Sequence, residues 1–156
     1  MKKLLLLSLI GITLVGCGEK EGEKKISNEM LVGEWSCDYS DLRAQWEKGQ
    51  FLDYVKEKSE IVKVKYYMKD NTLMATYNDD EEHSRPFSIE EIQKESGKEE
   101  ISSNLKIKTI LELNYISNDE YNFNEIREVT YVNGTDEQNE DNNEKRKHEL
   151  ICKRTK

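Results

Sequence analysis

LKIKTILELNY, residues 105–115, is the stretch that decides the fold of this chain. Apolar and β-branched side chains recur in it at every second position, which is the period of a β-strand that buries one face. The side chains expected to share that face are Leu105, Ile107, Thr109, Leu111, Leu113 and Tyr115. Alternation this regular predicts a long, half-buried strand.

Strand patterns of the same kind lie on both sides of this stretch. Alternating side chains predict further strands at residues 33–39, 61–69, 73–77, 121–132 and 147–154. Turn-forming residues such as Asp70-Asn71 and Asn118-Asp119 separate successive strands. Short antiparallel strands in chain order are typical of a meander, and closure of such a sheet removes its exposed edges. We therefore predict a mainly β domain, a single antiparallel meander that closes into a small barrel or a strongly curled sheet.

The segment after the first strand, residues 41–58, changes its period. Leu42 and Trp46 are four residues apart, and so are Phe51 and Val55. A four-residue spacing of apolar side chains is typical of one face of an α-helix. The sequence therefore predicts a short helical insert after the first strand.

The first 17 residues carry a different kind of signal. Two lysines precede a run of about a dozen mainly apolar residues, which is shorter than the roughly 20 residues that span a bilayer. The run ends in Leu14-Val15-Gly16-Cys17. This segment resembles the signal peptide and lipobox of bacterial lipoproteins. The resemblance implies a diacylglyceryl thioether on Cys17, cleavage before it, and acylation of the new amine, for example with palmitate. The alternative is an ordinary signal peptide followed by an unmodified cysteine.

The lipobox resemblance divides the chain into three parts. Residues 1–16 are expected to be the signal peptide, residues 17–28 a lipidated, charged and flexible tether, and residues 29–156 the folded β-barrel-like domain. The resemblance implies a protein held in the cell envelope by its lipid anchor. Gly18, rather than an aspartate, follows Cys17, and this favours the outer membrane, on its periplasmic or surface face, if the cell is Gram-negative.

The charge of the chain restricts its partners. Lys and Arg number 24 against 32 Asp and Glu, a net charge of −8, and removal of two signal-peptide lysines leaves 22 against 32, or −10. Nucleic-acid-binding proteins carry basic patches, so this balance argues against DNA or RNA as a partner. An acidic surface of this kind serves solubility or a basic partner.

The two remaining cysteines, Cys37 and Cys152, lie near the two ends of the domain. Exported compartments permit disulfides, and both residues fall on the apolar faces of the first and last predicted strands. We predict a Cys37–Cys152 disulfide, which requires these two strands to meet. Two free thiols used in catalysis or metal binding are the alternative, although the sequence contains no Cys-x-x-Cys.

Gly33-Glu34-Trp35 opens the first strand, and the predicted helical insert and meander follow it. This order resembles the lipocalin and fatty-acid-binding superfamily, whose members are β-barrels with an internal ligand cavity. The helical insert is similar to that of the intracellular fatty-acid-binding proteins. The resemblance implies an arginine over the Trp35 ring, for which Arg154 is the candidate. Trp35 and Arg154 then either line a ligand pocket or anchor the closed end of the barrel.

Few residues of the chain point to catalysis or to a metal. His83 follows the acidic residues 79–82, a combination that suits a divalent cation but also an ordinary solvated loop. Residues 136–144 have the composition of a calcium-binding loop without its glycine. The sequence contains no Gly-x-Ser-x-Gly, phosphate-binding loop or His-Glu-x-x-His. We therefore predict no enzymatic activity, no cofactor and no metal site.

Two functions agree with these observations. The first is a non-enzymatic binding or interaction module of the cell envelope, which meets another envelope or extracellular protein in the manner of an inhibitor or exclusion lipoprotein. The second is a lipocalin-like carrier of a small apolar ligand. An anchor in the membrane through Cys17 is common to both.

Overall fold

The structure is a computed structural model that describes residues 25–132, 135 and 142–155. The expected signal peptide, Cys17 and residues 17–24 of the expected tether lie outside the described residues, as does most of the segment 136–144. Within the described ranges, no helix is long and apolar enough to cross a membrane.

Nine strands, two short α-helices and one 3-10 turn make up the described part of the chain. The strands are β1 Gly33–Glu47, β2 Gln50–Phe51, β3 Val55–Lys69, β4 Thr72–Tyr77, β5 Arg85–Pro86, β6 Lys98–Ser102, β7 Leu105–Ser117, β8 Glu120–Tyr131 and β9 Glu144–Arg154. The helices are α1 Asn28–Leu31 and α2 Ile89–Glu95, and the 3-10 turn is Glu81–His83.

The strands form one antiparallel sheet in the order β5-β4-β3-β1-β9-β8-β7-β6, and β2 pairs with β1 as a short hairpin. Apart from this hairpin and the pairing of β1 with β9, neighbours in the sheet are neighbours in the chain. This confirms the predicted antiparallel meander, which curls strongly into a half-barrel. β5 and β6 are the edges of the sheet, and α2 connects them along the chain and packs against β7.

The expected helical insert in residues 41–58 is wrong. β1 continues to Glu47, a turn with Gly49 at φ +85° follows, and β3 begins at Val55. A four-residue spacing is also twice the two-residue period of a strand, so Leu42 and Trp46 share one face of β1. Phe51 is the cross-strand partner of Trp46, with ring centroids 4.8 Å apart, and does not lie on a following helical turn.

The core fills one end of the concave face, which we define as the face of the sheet that carries Trp35 and Cys37. Its members come from α1 and from strands β1, β3, β4, β8 and β9, and partly buried apolar side chains from α2, its preceding loop and β7 pack against them. The fully or almost fully buried side chains are Leu31, Trp35, Cys37, Val64, Tyr66, Leu73, Ala75, Tyr121 and Cys152. We call this filled end of the half-barrel the closed pole.

The predicted Cys37–Cys152 disulfide is present, with an Sγ–Sγ distance of 2.06 Å. The two residues lie directly opposite each other in the pairing of β1 with β9, and both are completely buried. The first and last strands of the sheet therefore meet, as the positions of the cysteines predicted.

Candidate binding cleft

Trp35 and Arg154, the residues expected to mark a ligand pocket, lie at the closed pole. The Arg154 guanidinium carbon is 4.3 Å from the centroid of the Trp35 ring, close enough for a cation–π interaction. Nη2 of Arg154 donates to the Met30 carbonyl oxygen at 2.6 Å, and Nη1 donates to that of Val32 at 2.9 Å. Arg154 thus fastens the chain on the N-terminal side of β1 to the end of β9.

Trp35 is held from its other side as well. Its indole Nε1 donates to the Leu31 carbonyl oxygen at 2.7 Å, and its side chain is 1% exposed. The ring meets Tyr121 edge to face, with centroids 4.8 Å apart. In this position Trp35 packs the core, and neither it nor Arg154 lines the cleft described below.

Two buried tyrosines fill the interior beside Trp35. The hydroxyls of Tyr66 and Tyr121 are 3.0 Å apart, so one donates a hydrogen bond to the other. Burial raises the pKa of Tyr66 and of Tyr121 well above the usual range, because the phenolate form would lose its hydration. Both side chains are buried and stay protonated even at moderately alkaline pH, so these two rings fill the closed pole.

The other end of the concave face is open and charged. A cavity of about 350 Å³ lies over β8 and β9. Its lining residues are Glu125, Arg127, Val129, Glu144, Arg146 and His148. We call this cavity the cleft; a volume of this size falls at the lower end of the range for small-molecule sites.

A row of arginines crosses the sheet along the cleft. Arg43 on β1 lies directly opposite Arg146 on β9, and Arg146 lies directly opposite Arg127 on β8. Thr109 on β7 and Lys98 on β6 continue the same cross-strand row. Like charges at directly opposed positions destabilise a sheet, so this row of arginines costs the fold stability unless neighbouring groups compensate it.

Carboxylates compensate two of these three arginines. Glu144 contacts Nε of Arg146 and lies 3.5 Å from Nη2 of Arg43. Glu57 lies 3.8 Å from Nη1 of Arg43, and Asp41 lies 3.8 Å from Nη1 of Arg146. The hydrogen bond to Glu144 raises the pKa of Arg146 above its usual value.

Arg127 differs from the other two. Within the described part of the chain, no hydrogen bond or ion pair of its guanidinium is found, and its side chain is exposed. Arg127 also lines a second cavity of about 260 Å³, together with residues of β6, β7 and α2 such as Lys98 and Thr109. Its free guanidinium therefore lies where the two cavities adjoin.

The His148 side chain, which lines the cleft, lies between the carboxylates of Asp41 and Glu125. Its Nε2 is 3.5 Å from Oδ1 of Asp41, and its Nδ1 is 3.8 Å from Oε2 of Glu125. Oδ1 of Asp41 and Nε of Arg43 are buried and make no hydrogen bond with another described residue. No group of three or more His, Cys, Asp or Glu side chains in the described ranges is arranged to hold a metal ion.

His83, the histidine next to the acidic residues 79–82, lies in the 3-10 turn and not in the cleft. Its Nδ1 is 2.8 Å from Oδ2 of Asp80, and the His83 side chain is 75% exposed. This contact is a local pair within a solvated acidic loop. The segment 136–144 with calcium-loop composition lies largely outside the described residues.

Sequence reasoning did not identify the residues of the cleft. Glu144, Arg146 and His148 alternate in the same phase as Cys152, which was expected to lie on the apolar face of the last strand. Ionisable side chains on the same face of a strand as core residues are the sequence pattern that could have indicated the cleft. The opposition of Arg43, Arg146 and Arg127 depends on strand register, which cannot be read from any single strand.

Comparisons with known proteins add little to this description. No protein-family model and no curated protein matches the chain. Among solved structures, the chain is similar to the crystal structure of the ywiB protein from Bacillus subtilis, with 9% sequence identity and a TM-score of 0.28. The match covers 80% of this chain and 93% of that one. A TM-score this low does not establish a shared fold.

Proposed function

We propose that this protein is a lipid-anchored, non-enzymatic binding module of the bacterial cell envelope, and that the cleft is its binding surface. The observation that carries this proposal is an open cavity of about 350 Å³ in which five of the six lining residues are ionisable. Among them, the Arg127 guanidinium makes no ion pair with another described residue, and Glu125 and His148 contact each other only at 3.8 Å. The cleft therefore offers free polar groups to a partner.

The direction of the strands supports this arrangement. The chain approaches the sheet through α1 at the closed pole, next to Trp35. Arg43 lies eight residues farther along β1, about 26 Å away at a rise of roughly 3.3 Å per residue. A lipid on Cys17 would thus be attached to the domain at the closed pole, at the opposite end of β1 from the cleft, and the cleft would stay free of the attachment point.

The anchor is tested by substitution of the lipobox cysteine. We expect the full chain to fractionate with membranes and to incorporate labelled palmitate, and we expect Cys17→Ser to lose both properties. Ser8→Ala, a substitution within the apolar run, serves as the matched control and retains both. Membrane association and labelling of Cys17→Ser at the level of the unsubstituted chain would overturn the anchor.

The binding surface is tested by site-specific photocrosslinking in intact cells. A photoreactive amino acid in place of Val129 lies in the cleft, whereas one in place of Ile61, which is 63% exposed, lies on the opposite face of the sheet. We expect a discrete adduct from the Val129 position and none from the Ile61 position. Identical adducts from both positions, or none from Val129, would count against the cleft.

A carrier of a small apolar ligand is the second candidate. The size of the cleft supports it, and so does the pairing of the first and last strands into a curled sheet. Ionisable lining residues favour a polar ligand, however, and place the carrier second. Titration with the neutral apolar dye N-phenyl-1-naphthylamine tests it: a carrier binds the dye saturably, and absence of a saturable fluorescence increase would reject it.

A further inference from the structure

We propose that the cleft binds an oxyanion, a carboxylate or a phosphate, at Arg127. This inference rests on the proposed function, because it names the ligand chemistry of the same cleft. A planar guanidinium presents a fork of N–H donors that matches the oxygens of both groups. Among the cations of the row, Arg127 is the one whose guanidinium, within the described part of the chain, is free to receive the anion.

The other cations of the row already have carboxylate partners. Glu144 compensates both Arg43 and Arg146, and Nζ of Lys98 lies 2.6 Å from Oε1 of Glu95. Arg127 has no such partner in the described ranges. The row thus contains one guanidinium without a carboxylate partner among the described residues. An anionic ligand would provide for Arg127 the negative charge that Glu144 and Glu95 provide for the other cations.

The strand next to Arg127 provides a second donor. Thr109 on β7 is the directly opposed partner of Arg127 on β8 and lines the adjoining cavity. Directly opposed residues place their Cβ atoms about 4.5–5.5 Å apart, so one oxyanion can accept from both side chains. The hydroxyl of Thr109 makes no hydrogen bond to another described residue and is available to such a ligand.

The acidic residues around the cleft set its selectivity. Glu125 lines the cleft two residues before Arg127, and Glu100 lines the adjoining cavity. These carboxylates and the net chain charge of −8 weaken the non-specific attraction of anions to this region. If this protein binds anions, the binding would therefore indicate a specific local site, because the chain as a whole is negatively charged.

The test is calorimetric titration of the full chain in non-ionic detergent at low salt, with three probes. Inorganic pyrophosphate and citrate represent the phosphate and carboxylate forms of the ligand, and spermidine is a probe of opposite charge. We expect saturable binding of pyrophosphate, citrate or both, and none of spermidine. Absence of anion binding up to about 10 mM, which corresponds to less than roughly 3 kcal/mol, or stronger binding of spermidine, would overturn the proposal.

Substitutions locate the site. Arg127→Gln is expected to weaken anion binding tenfold or more, and Arg127→Lys less, because a lysine keeps the charge but not the fork. Arg85→Gln is the matched control: it removes one exposed arginine outside the cleft and should change the affinity less than twofold. Equal effects of Arg127→Gln and Arg85→Gln, in variants with unchanged thermal unfolding, would refute Arg127 as the site.

The anion proposal and the broader one can fail separately. If the photocrosslink from position 129 persists while no anion binds, the cleft binds a partner of other chemistry and only the oxyanion inference is wrong. If anions bind at Arg127 but position 129 yields no adduct, the ligand is a free small anion and the cleft is not a protein-binding surface.

Discussion

At the scale of single residues, Arg154 makes the widest set of contacts at the closed pole. Its guanidinium covers Trp35, donates to the Met30 and Val32 carbonyl oxygens, and its Nε lies 3.1 Å from Oδ1 of Asp119. The side chain therefore joins the segment before β1, the β7–β8 turn and the end of β9. These contacts give Arg154 a structural role.

Arg154→Gln should destabilise the protein by about 2–4 kcal/mol, since two carbonyl oxygens lose their donor and Trp35 loses its stacked cation. Urea denaturation followed by tryptophan fluorescence measures this change. Lys153→Gln, at the exposed neighbouring position, is the control and should change the free energy of unfolding by less than about 0.5 kcal/mol. Similar stabilities of the two variants would show that the Arg154 contacts are not maintained in solution.

The buried tyrosine pair makes stability depend on alkaline pH. Burial raises the pKa of Tyr66 and Tyr121 above their ordinary value of 10.0, so the folded state keeps protons that the unfolded state releases. Their contribution is fully present below about pH 10 and is lost as the pH rises above it. We expect the free energy of unfolding to fall above pH 10, and the double variant Tyr66→Phe/Tyr121→Phe to show a smaller fall.

Tyr67→Phe is the matched control for this prediction. Tyr67 neighbours Tyr66 in β3 but lies on the opposite face of the sheet, outside the buried pair. Its substitution should leave the alkaline fall unchanged. An unaltered fall in the double variant would assign the effect to other groups.

Some residue roles were predictable because one strand alone reveals them. Trp35 and Cys37 alternate with polar neighbours, so their burial follows from the two-residue period, and the disulfide follows from two cysteines on apolar faces. Arg127 and Arg146 gave no such indication. A charged side chain is common on a strand, and only the β8–β9 register shows that these two stand opposite each other.

At the scale of secondary-structure elements, the course of β1 explains why residues 41–58 form no helix. The strand contains a register shift against β3 between Asp41 and Leu42, where Glu57 is an extra residue on the β3 side. A bulge of this kind alters the local twist, and the strand then continues to a hairpin. Apolar spacing alone cannot separate such a strand from a short helix, because the two periods share the four-residue interval.

The short helix α2 offers a test of local stability. Its N-cap Ser88 accepts a hydrogen bond from the backbone N–H of Glu91 at 3.1 Å through Oγ. Ser88→Ala should cost about 1 kcal/mol, since that N–H loses its acceptor. Hydrogen exchange of the α2 amides should accelerate, whereas exchange in β9 should change only through global unfolding.

Ser102→Ala, at the exposed end of β6, is the control for the N-cap substitution. It removes a serine hydroxyl that caps no helix and should leave α2 exchange unchanged. Unchanged exchange in Ser88→Ala would show that packing against β7, and not the cap, holds the helix.

At the scale of the whole molecule, the disulfide closes almost the entire described chain. Its cysteines are 115 residues apart in sequence. In the chain-entropy model a loop of this length stabilises the folded state by up to about 5 kcal/mol. The variant Cys37→Ala/Cys152→Ala should therefore unfold at a much lower urea concentration, and a reducing agent should destabilise the unsubstituted protein but not the variant.

Global architecture was predictable only in part. The meeting of the first and last strands followed from Cys37 and Cys152, whereas the location of the opening between β5 and β6 did not. Residues 78–100, which connect the two edge strands along the chain, are mainly polar. Their few apolar residues, such as Phe87 and Ile89, form no strand period from which pairing can be inferred. The cleft could not be predicted for a similar reason. Its charged residues are distant in the sequence, and only the pairing of the curled strands places them side by side.

The position of the disulfide also decides how the molecule bears a mechanical load. A pull applied at residue 25 reaches the sheet at Gly33, the first residue of β1, and would peel that strand away from β3 and β9 one hydrogen bond at a time. At Cys37, four residues farther along β1, the disulfide prevents further separation of β1 from β9. A force that enters from the N-terminal side is then transmitted through the disulfide to β9 and from there to its neighbour β8, so β1 and β9 cannot be separated beyond Cys37 without breaking a covalent bond.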